Sequence, residues 1–313
     1  MKVLFIMDPI EAINIKKDTT FAFMMEAQRR GWGVEYCLQE QLGGGADGAW
    51  ATARPVKLQA VAGDHVSHGE AKRTLLREYG AIFMRTDPPV DMNYVYTTHL
   101  LEQLDPTKTL VVNRPAGLRA ANEKVFILNF PAVTPRTIVT RLRADIEAFI
   151  ADNGGKGIIK PLDRMGGSGI FMLRDDDPNL GSILETATDN GREMVMIQEY
   201  LPAAKEGDKR VLLIDGEPLG AVLRVPKGLD FRGNMAVGGR AVASPIDEHD
   251  RRIIDTVRDS LKDNGLYFVG LDVIGGKLTE VNVTSPTGVQ EINRLNGVCV
   301  EADVMNWVAS RTS

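Results

Sequence analysis

The sequence predicts an α/β protein with a parallel sheet in its N-terminal part and an α+β arrangement in its C-terminal part. Three observations carry that prediction. The run 3–7, Val-Leu-Phe-Ile-Met, is apolar without a break and is closed by Asp8-Pro9, the pattern of a strand buried on both faces. Residues 19–30 repeat apolar and small side chains at helical spacing, and 34–38 read as a second strand. A parallel pair with a right-handed helical crossover therefore opens the chain. Beyond residue 122, short apolar runs are separated by glycine-rich turns and helices, so hairpins replace the β-α alternation.

Each element has its own signal. Phe21, Met24, Met25 and Ala27 mark the buried side of the first helix, and Gly31 ends it. The stretch 41–69 holds Gly43-Gly44-Gly45 among irregular polar residues, with a short hairpin expected at 50–58. A strand returns at 81–84 and stops at Arg85-Thr-Asp-Pro-Pro89; a helix at 94–104 and a strand at 109–112 complete the first part. Further on, helices are expected at 123–129 and 143–151, and strands at 137–140, 157–162, 169–173, 195–200, 211–214 and 221–225. Residues 251–262 form an amphipathic helix with Ile253, Ile254, Val257 and Leu261 on one side.

Composition narrows the function classes. The chain has 313 residues, 43% hydrophobic and 25% charged, enough to bury roughly 75% of its unfolded surface in two or three packed units. A net charge of -5 gives no footprint for nucleic acid or for an anionic membrane. A protein of this charge that handles an anion must gather its Lys and Arg locally. Cys37 and Cys299 form no CxxC motif and no disulfide framework, which fits a reducing cytosol; each reads as a small packed side chain. No run approaches the ~20 apolar residues of a membrane span. His65 and His68 lie in an irregular segment without further ligands, so a zinc site is not expected there, and no Gly-x-Ser-x-Gly elbow is present.

Three segments carry chemistry. In 270–284, two apolar strands flank Gly275-Gly276, a hairpin signature. Glu280 and Asn282 share a face of one strand, and Asp272 lies on the other. A two-residue turn would pair Asp272 with Thr279 and set it against the wrong face, so a bulge or an odd loop is expected. Such oxygen donors suit a hard cation that keeps few protein ligands; the alternative is a half-exposed strand with polar residues outward. In 158–170, Lys160 ends a strand and Gly166, Gly167 and Gly169 follow, a loop whose backbone N–H groups can approach phosphate or simply turn the chain. It is neither a Walker A nor a dinucleotide fingerprint. The segment 224–240 gathers Arg224, Lys227, Arg232 and Arg240 with glycines, either a lid over an anionic centre or a solvated loop. Arg210 precedes a strand that could aim at the same centre.

Together these segments resemble the ATP-grasp superfamily and, within it, the bacterial-type glutathione synthetases. The resemblance is carried by Asp8-Pro-Ile with 14–18, Arg85 with Asp87-Pro-Pro89, Asn122-Glu-Lys124 and 160–167. It continues through 207–210, Arg232-Gly-Asn234 with Gly238-Gly-Arg240, Gly270-Leu-Asp272 and 280–286. It covers most of the chain in order, and departs at 41–80 and after Gly288.

The resemblance implies an ATP-grasp fold with an N-terminal Rossmann-like substrate domain at 1–122, a central lid domain at 123–200 and a catalytic domain at 201–313. It implies that Lys124, Lys160, Gly166 and Gly167 meet ATP phosphates, that Gln198, Glu199, Tyr200 and Leu201 run beside adenine, and that Asp208 lies near the ribose. Asp272, Glu280 and Asn282 would hold Mg²⁺, with Mn²⁺ as a substitute. Arg210 and Arg224 would face the peptide carboxylate and the transferred phosphoryl group, and the loop 225–240, with Arg232 and Arg240, would close over both. Asn14, Lys17, Asp18 and Arg85 would hold γ-glutamylcysteine, and Ser285, Pro286 and Thr287 would lie near glycine. The implied reaction makes glutathione through an acyl phosphate, in a cytoplasmic homotetramer. Two alternatives remain at this stage: a ligase of the same fold joining another acid and amine, and a non-catalytic nucleotide-binding protein. Alanine at Asp272 or Glu280 is expected to abolish turnover and leave the fold intact.

Overall fold

The computed structural model describes residues 1–227 and 239–312. Strand β1 (Lys2–Ile6) is buried from Val3 to Ile6, as its unbroken apolar run requires. Helix α1 (Thr19–Arg29) follows, its first turn capped by Asp18, which accepts a hydrogen bond from the Phe21 N–H at 2.6 Å. Strand β2 (Gly33–Cys37) then pairs in parallel with β1.

The segment after β2 differs from the expected short hairpin at 50–58. Strand β3 (Leu42–Gly45) turns into β4 (Gly48–Leu58), one long strand that also pairs with β5 (Val66–His68) and β6 (Lys72–Leu75). Ala49, Ala51 and Ala53 alternate into the core. The glycine triplet makes room for one side chain: a Cβ on Gly43 would lie 2.5 Å from the Trp50 ring. Because β4 joins β2 antiparallel, the segment extends the first sheet. That sheet continues across β1 to β7 (Ala81–Met84) and, past helix α2 (Met92–Leu101), to β8 (Leu110–Val112), both parallel. Helix α3 (Pro115–Ala120) closes this part.

A 3-10 turn, Val125–Asn129, stands where a longer helix was expected. The Asn122 side chain takes the N–H groups of Lys124 and Val125 at 3.1 and 3.0 Å, and Pro131 follows, leaving no room for a second turn. Next come β9 (Thr137–Thr140), α4 (Arg143–Asp152), β10 (Lys156–Pro161), β11 (Phe171–Arg174), α5 (Leu180–Ala187) and β12 (Val195–Gln198). Their sheet, ordered β11-β10-β12-β9, is antiparallel. It buries Ile146, Ile150, Ile159, Leu173, Leu184 and Ile197 against the two helices.

The last sheet is ordered β15-β14-β13-β16-β17. It contains β13 (Asp208–Ile214), β14 (Glu217–Val225), β15 (Arg240–Ala243), and, after α6 (Glu248–Asp263), β16 (Phe268–Ile274) and β17 (Lys277–Asn282). Helix α6 buries the four residues its periodicity marks. Helices α7 (Val289–Asn296) and α8 (Val300–Arg311) end the chain and return it to the start. There Arg30 donates to the Ala302 carbonyl at 3.0 Å. This return makes the third sheet and the first share a wall.

Candidate active site

The hairpin of β16 and β17 turns on Gly275 and Gly276, at φ 55° and 73°, backbone that a side chain rarely adopts. Val273 pairs with Leu278, but Asp272 pairs with Glu280. Thr279 is the extra residue of a bulge, and the bulge puts both carboxylates on one face, as the parity of the turn required. Gly270 pairs with Asn282, whose amide N–H donates to the Gly270 carbonyl at 3.1 Å, leaving its amide oxygen to offer.

Two guanidinium groups converge on this face from neighbouring strands. Arg210 donates from Nε to Asp272 Oδ1 at 2.5 Å and from Nη2 to Oδ2 at 3.1 Å. Arg224 reaches Asp272 Oδ2 at 2.9 Å and also binds Asp208. Burial alone would raise the Asp272 carboxyl, but Arg210 and Arg224 outweigh it and hold the group well below the usual carboxylate range. Burial pushes Asp208 up to about 7, with the Asp272 charge adding to the effect, and its Oδ1 is buried without a partner.

Asp208 should therefore tie apoprotein stability to pH. Its folded form keeps a proton that the unfolded chain sheds above the ordinary value of 3.8. Its contribution is thus favourable at low pH and is lost as pH rises from about 4 to about 7. Melting curves without nucleotide should show Asp208→Asn gaining on the parent between pH 5 and pH 8.

Two lysines complete the cluster. Lys124 Nζ lies 3.1 Å from Glu280 Oε1 and donates to the Arg164 carbonyl at 2.6 Å, joining the hairpin to the glycine-rich loop. Lys160 Nζ donates to Gln198 Oε1 at 2.5 Å; burial lowers its pKa, with Glu280 pulling the other way and Lys124 adding to the fall. Gly166 and Gly167 have φ of 65° and 81°.

Asp272, Glu280 and Asn282, the two arginines, Asp208, the two lysines, Gly166 and Gly167 line one cleft of about 380 Å³ where the three sheets meet. Glu199, Tyr200 and Leu201 line it beside Gln198, and Asn14, Lys17, Asp18, Ser285, Pro286 and Thr287 line it from the first and last parts of the chain. Two expected residues stand apart from the lining. Arg85 is buried behind the wall, donating to Thr20 Oγ1 at 3.1 Å and the Pro286 carbonyl at 2.9 Å. Its guanidinium braces the backbone there, and burial lowers its pKa to about 10. Arg240 is exposed on the edge strand β15. Arg232 and 228–238 of the expected lid lie outside the described residues.

Residues 1–119 match the family model "Prokaryotic glutathione synthetase, N-terminal domain", and residues 123–297 match its partner, "Prokaryotic glutathione synthetase, ATP-grasp domain". The chain belongs to the prokaryotic glutathione synthetase family. It is 48% identical to the glutathione synthetase of Synechococcus elongatus, over 96% of this chain and 95% of that one. It is 43% identical to that of Vibrio vulnificus YJ016, over 99% and 98%. Among solved structures, D-cycloserine synthetase DcsG superimposes with a TM-score of 0.68 at 15% identity, covering 99% of this chain and all of that one. The ATP-grasp ligase PsnB, complexed with minimal precursor, Mg and ADP, gives 0.63 at 17%, over 99% and 98%. The fold is the ATP-grasp fold.

Two further carboxylates line the cleft, Glu123, which the Asn122-Glu-Lys124 motif contains without a role of its own, and Glu291, which no motif contains. Glu123 Oε1 accepts from the N–H groups of Val283 and Thr284 at 2.9 and 3.0 Å and from Thr284 Oγ1 at 2.8 Å. It clamps the end of β17 to the residue before Lys124. Glu123→Ala leaves these buried donors unpaired and should cost roughly 2–3 kcal/mol; Glu123→Gln, which keeps an acceptor, should cost much less. Denaturant midpoints of the two variants check this. Among the described residues no three His, Cys, Asp or Glu side chains form a metal cluster, and no described helix is long and apolar enough to cross a membrane. Two carboxylates and an amide on one face, with the orphaned Asp208 oxygen beside them, nevertheless fit a hard cation that keeps most of its ligands from phosphate and water.

Proposed function

We propose that this protein joins γ-glutamylcysteine to glycine, using ATP and releasing ADP and phosphate. The observation that carries the reading is the convergence of Lys124, Lys160, Asp272, Glu280 and Asn282 on one cleft, in a chain of this family. ATP phosphorylates the cysteinyl carboxylate; the glycine amine attacks the acyl phosphate, loses a proton, and phosphate leaves. A carboxylate is a poor electrophile in water, so the leaving group must be supplied and the intermediate kept dry.

On this reading Lys124, Lys160 and the N–H groups around Gly166 and Gly167 hold the phosphates, and the strand end 198–201 holds the adenine. Asp208 serves the ribose. Asp272, Glu280 and Asn282 would hold Mg²⁺, which neutralises charge on the transferring phosphoryl group; Mn²⁺ would serve in its place. Arg210 and Arg224, held at Asp272, bring positive charge to the same point. Asn14, Lys17, Asp18 and the 285–287 segment receive the organic substrates, with Arg85 acting through Pro286. Arg232 and Arg240, on the loop 225–240, would add charge as that loop closes. The division at 122 and 200, a tetrameric assembly and a cytosolic location belong to the same proposal.

The test is ADP release with ATP, Mg²⁺, γ-glutamylcysteine and glycine, each omitted in turn. Turnover that needs every component and yields glutathione supports the reading. Turnover only with another acid or amine overturns the substrates and leaves the ligase; none with any pair overturns both.

A further inference from the structure

Glu291 is a carboxylate whose place is explained only in part, by the helix dipole that favours an acid in a first turn. It is 6% exposed, lies in the first turn of α7 and lines the cleft. At the third position of a helix a glutamate commonly folds back onto the N-cap N–H, but α7 has no side-chain cap hydrogen bond. No hydrogen bond or ion pair to another described residue engages its carboxylate, whose oxygens are not among the buried unpartnered polar atoms and so open onto the cleft. An unneutralised carboxylate on the wall of a cleft is a ready acceptor for a cationic group of a ligand.

Its surroundings say which part of the cleft it serves. Gln290 donates to the carbonyls of Ile15 and Asp18 at 2.8 and 2.6 Å, and the Val289 N–H reaches Thr19 Oγ1 at 3.4 Å. Just ahead of the helix, Arg210 Nη1 donates to the Thr287 carbonyl at 3.1 Å. The first turn of α7 is therefore fastened to the 14–19 segment. Lys17 lines the same cleft, so a group carrying ammonium and carboxylate together meets a side chain of each sign.

We infer that Glu291 receives the ammonium group of an amino-acid substrate. The inference rests on the ligase reading above. Two groups share that chemistry: the α-ammonium of the γ-glutamyl residue and the ammonium of glycine. Glu291 is then a determinant of specificity, since a substrate lacking the group takes water from the carboxylate without pairing it.

The experiment compares the parent with Glu291→Gln, varying each organic substrate in turn, with N-glutaryl-cysteine as the analogue lacking only the α-ammonium. Parent turnover with γ-glutamylcysteine and glycine tests the ligase reading by itself. In the variant, KM for one organic substrate should rise about tenfold or more, with kcat changed less and KM for ATP unchanged. If the γ-glutamyl group is the ligand, the parent discriminates against N-glutaryl-cysteine and the variant loses that discrimination. If glycine is the ligand, its KM moves instead. Both KM values within twofold of the parent would overturn the inference. Should turnover vanish, calorimetric titration decides: ATP binding kept with γ-glutamylcysteine or glycine binding lost supports it, and any other pattern overturns it.

Discussion

Replacing Glu280 by glutamine is expected to lower kcat by about a hundred- to a thousandfold while leaving the melting temperature near that of the parent. Glu280 is partly exposed and its partner Lys124 keeps a second bond to the Arg164 carbonyl, so the lost ion pair should cost within about 1 kcal/mol. Asp272→Ala is a different experiment, although the sequence alone gives both the same outcome. Asp272 is the shared counter-ion of two buried guanidinium groups. Removing it strands the Arg210 charge and leaves Arg224 with Asp208 alone, which should cost roughly 3–5 kcal/mol of stability in addition to activity. The structure thus revises the expectation that the fold survives this substitution intact. Kinetics and denaturant melts of the two variants, measured side by side, separate the roles. Parent-like kcat in Glu280→Gln at ordinary Mg²⁺ would remove the hairpin from the chemistry.

How much of this could be read from the chain depends on the range of the interaction. The bulge at Thr279 was legible because it follows from parity: two side chains on facing strands share a face in only one of the two possible registers. The buried strand 3–7 and helix α6 were legible because their periodicity is local. The long strand β4 was not, because its fit depends on Trp50 packing where Gly43 has no side chain, and a run of glycines looks the same in a loop. Glu123 was hidden in plain view beside Lys124, since its partners at Val283 and Thr284 lie far along the chain. Arg85 was assigned to substrate by the resemblance, but a matching motif does not say whether a guanidinium faces a cavity or braces the backbone behind it. Arg210 and Arg224 were read as facing substrate; that each is already bonded to Asp272 follows only from the order β14-β13-β16.

Lys160→Met should act in opposite directions on activity and on the stability of the ligand-free protein. Lys160 is charged in a buried place, and the fall in its pKa says that the folded state disfavours that charge. For a lysine whose folded pKa is depressed, the cost is present while the group is protonated and fades as pH rises through the folded value. Methionine keeps the length of the side chain and removes the charge, so the ligand-free variant should melt at or above the parent near neutral pH. The order should reverse with nucleotide. A ligand that binds only the folded state raises stability by RT ln(1 + [L]/Kd), and a variant without the phosphate-facing charge loses much of that gain. The melting curves of parent and variant should therefore cross when Mg²⁺ and ATP are added. Over the same comparison kcat should fall by about a hundredfold or more. A variant that melts below the parent without ligand yet turns over normally would make Lys160 a structural partner of Gln198, and would leave Lys124 alone to meet the phosphates.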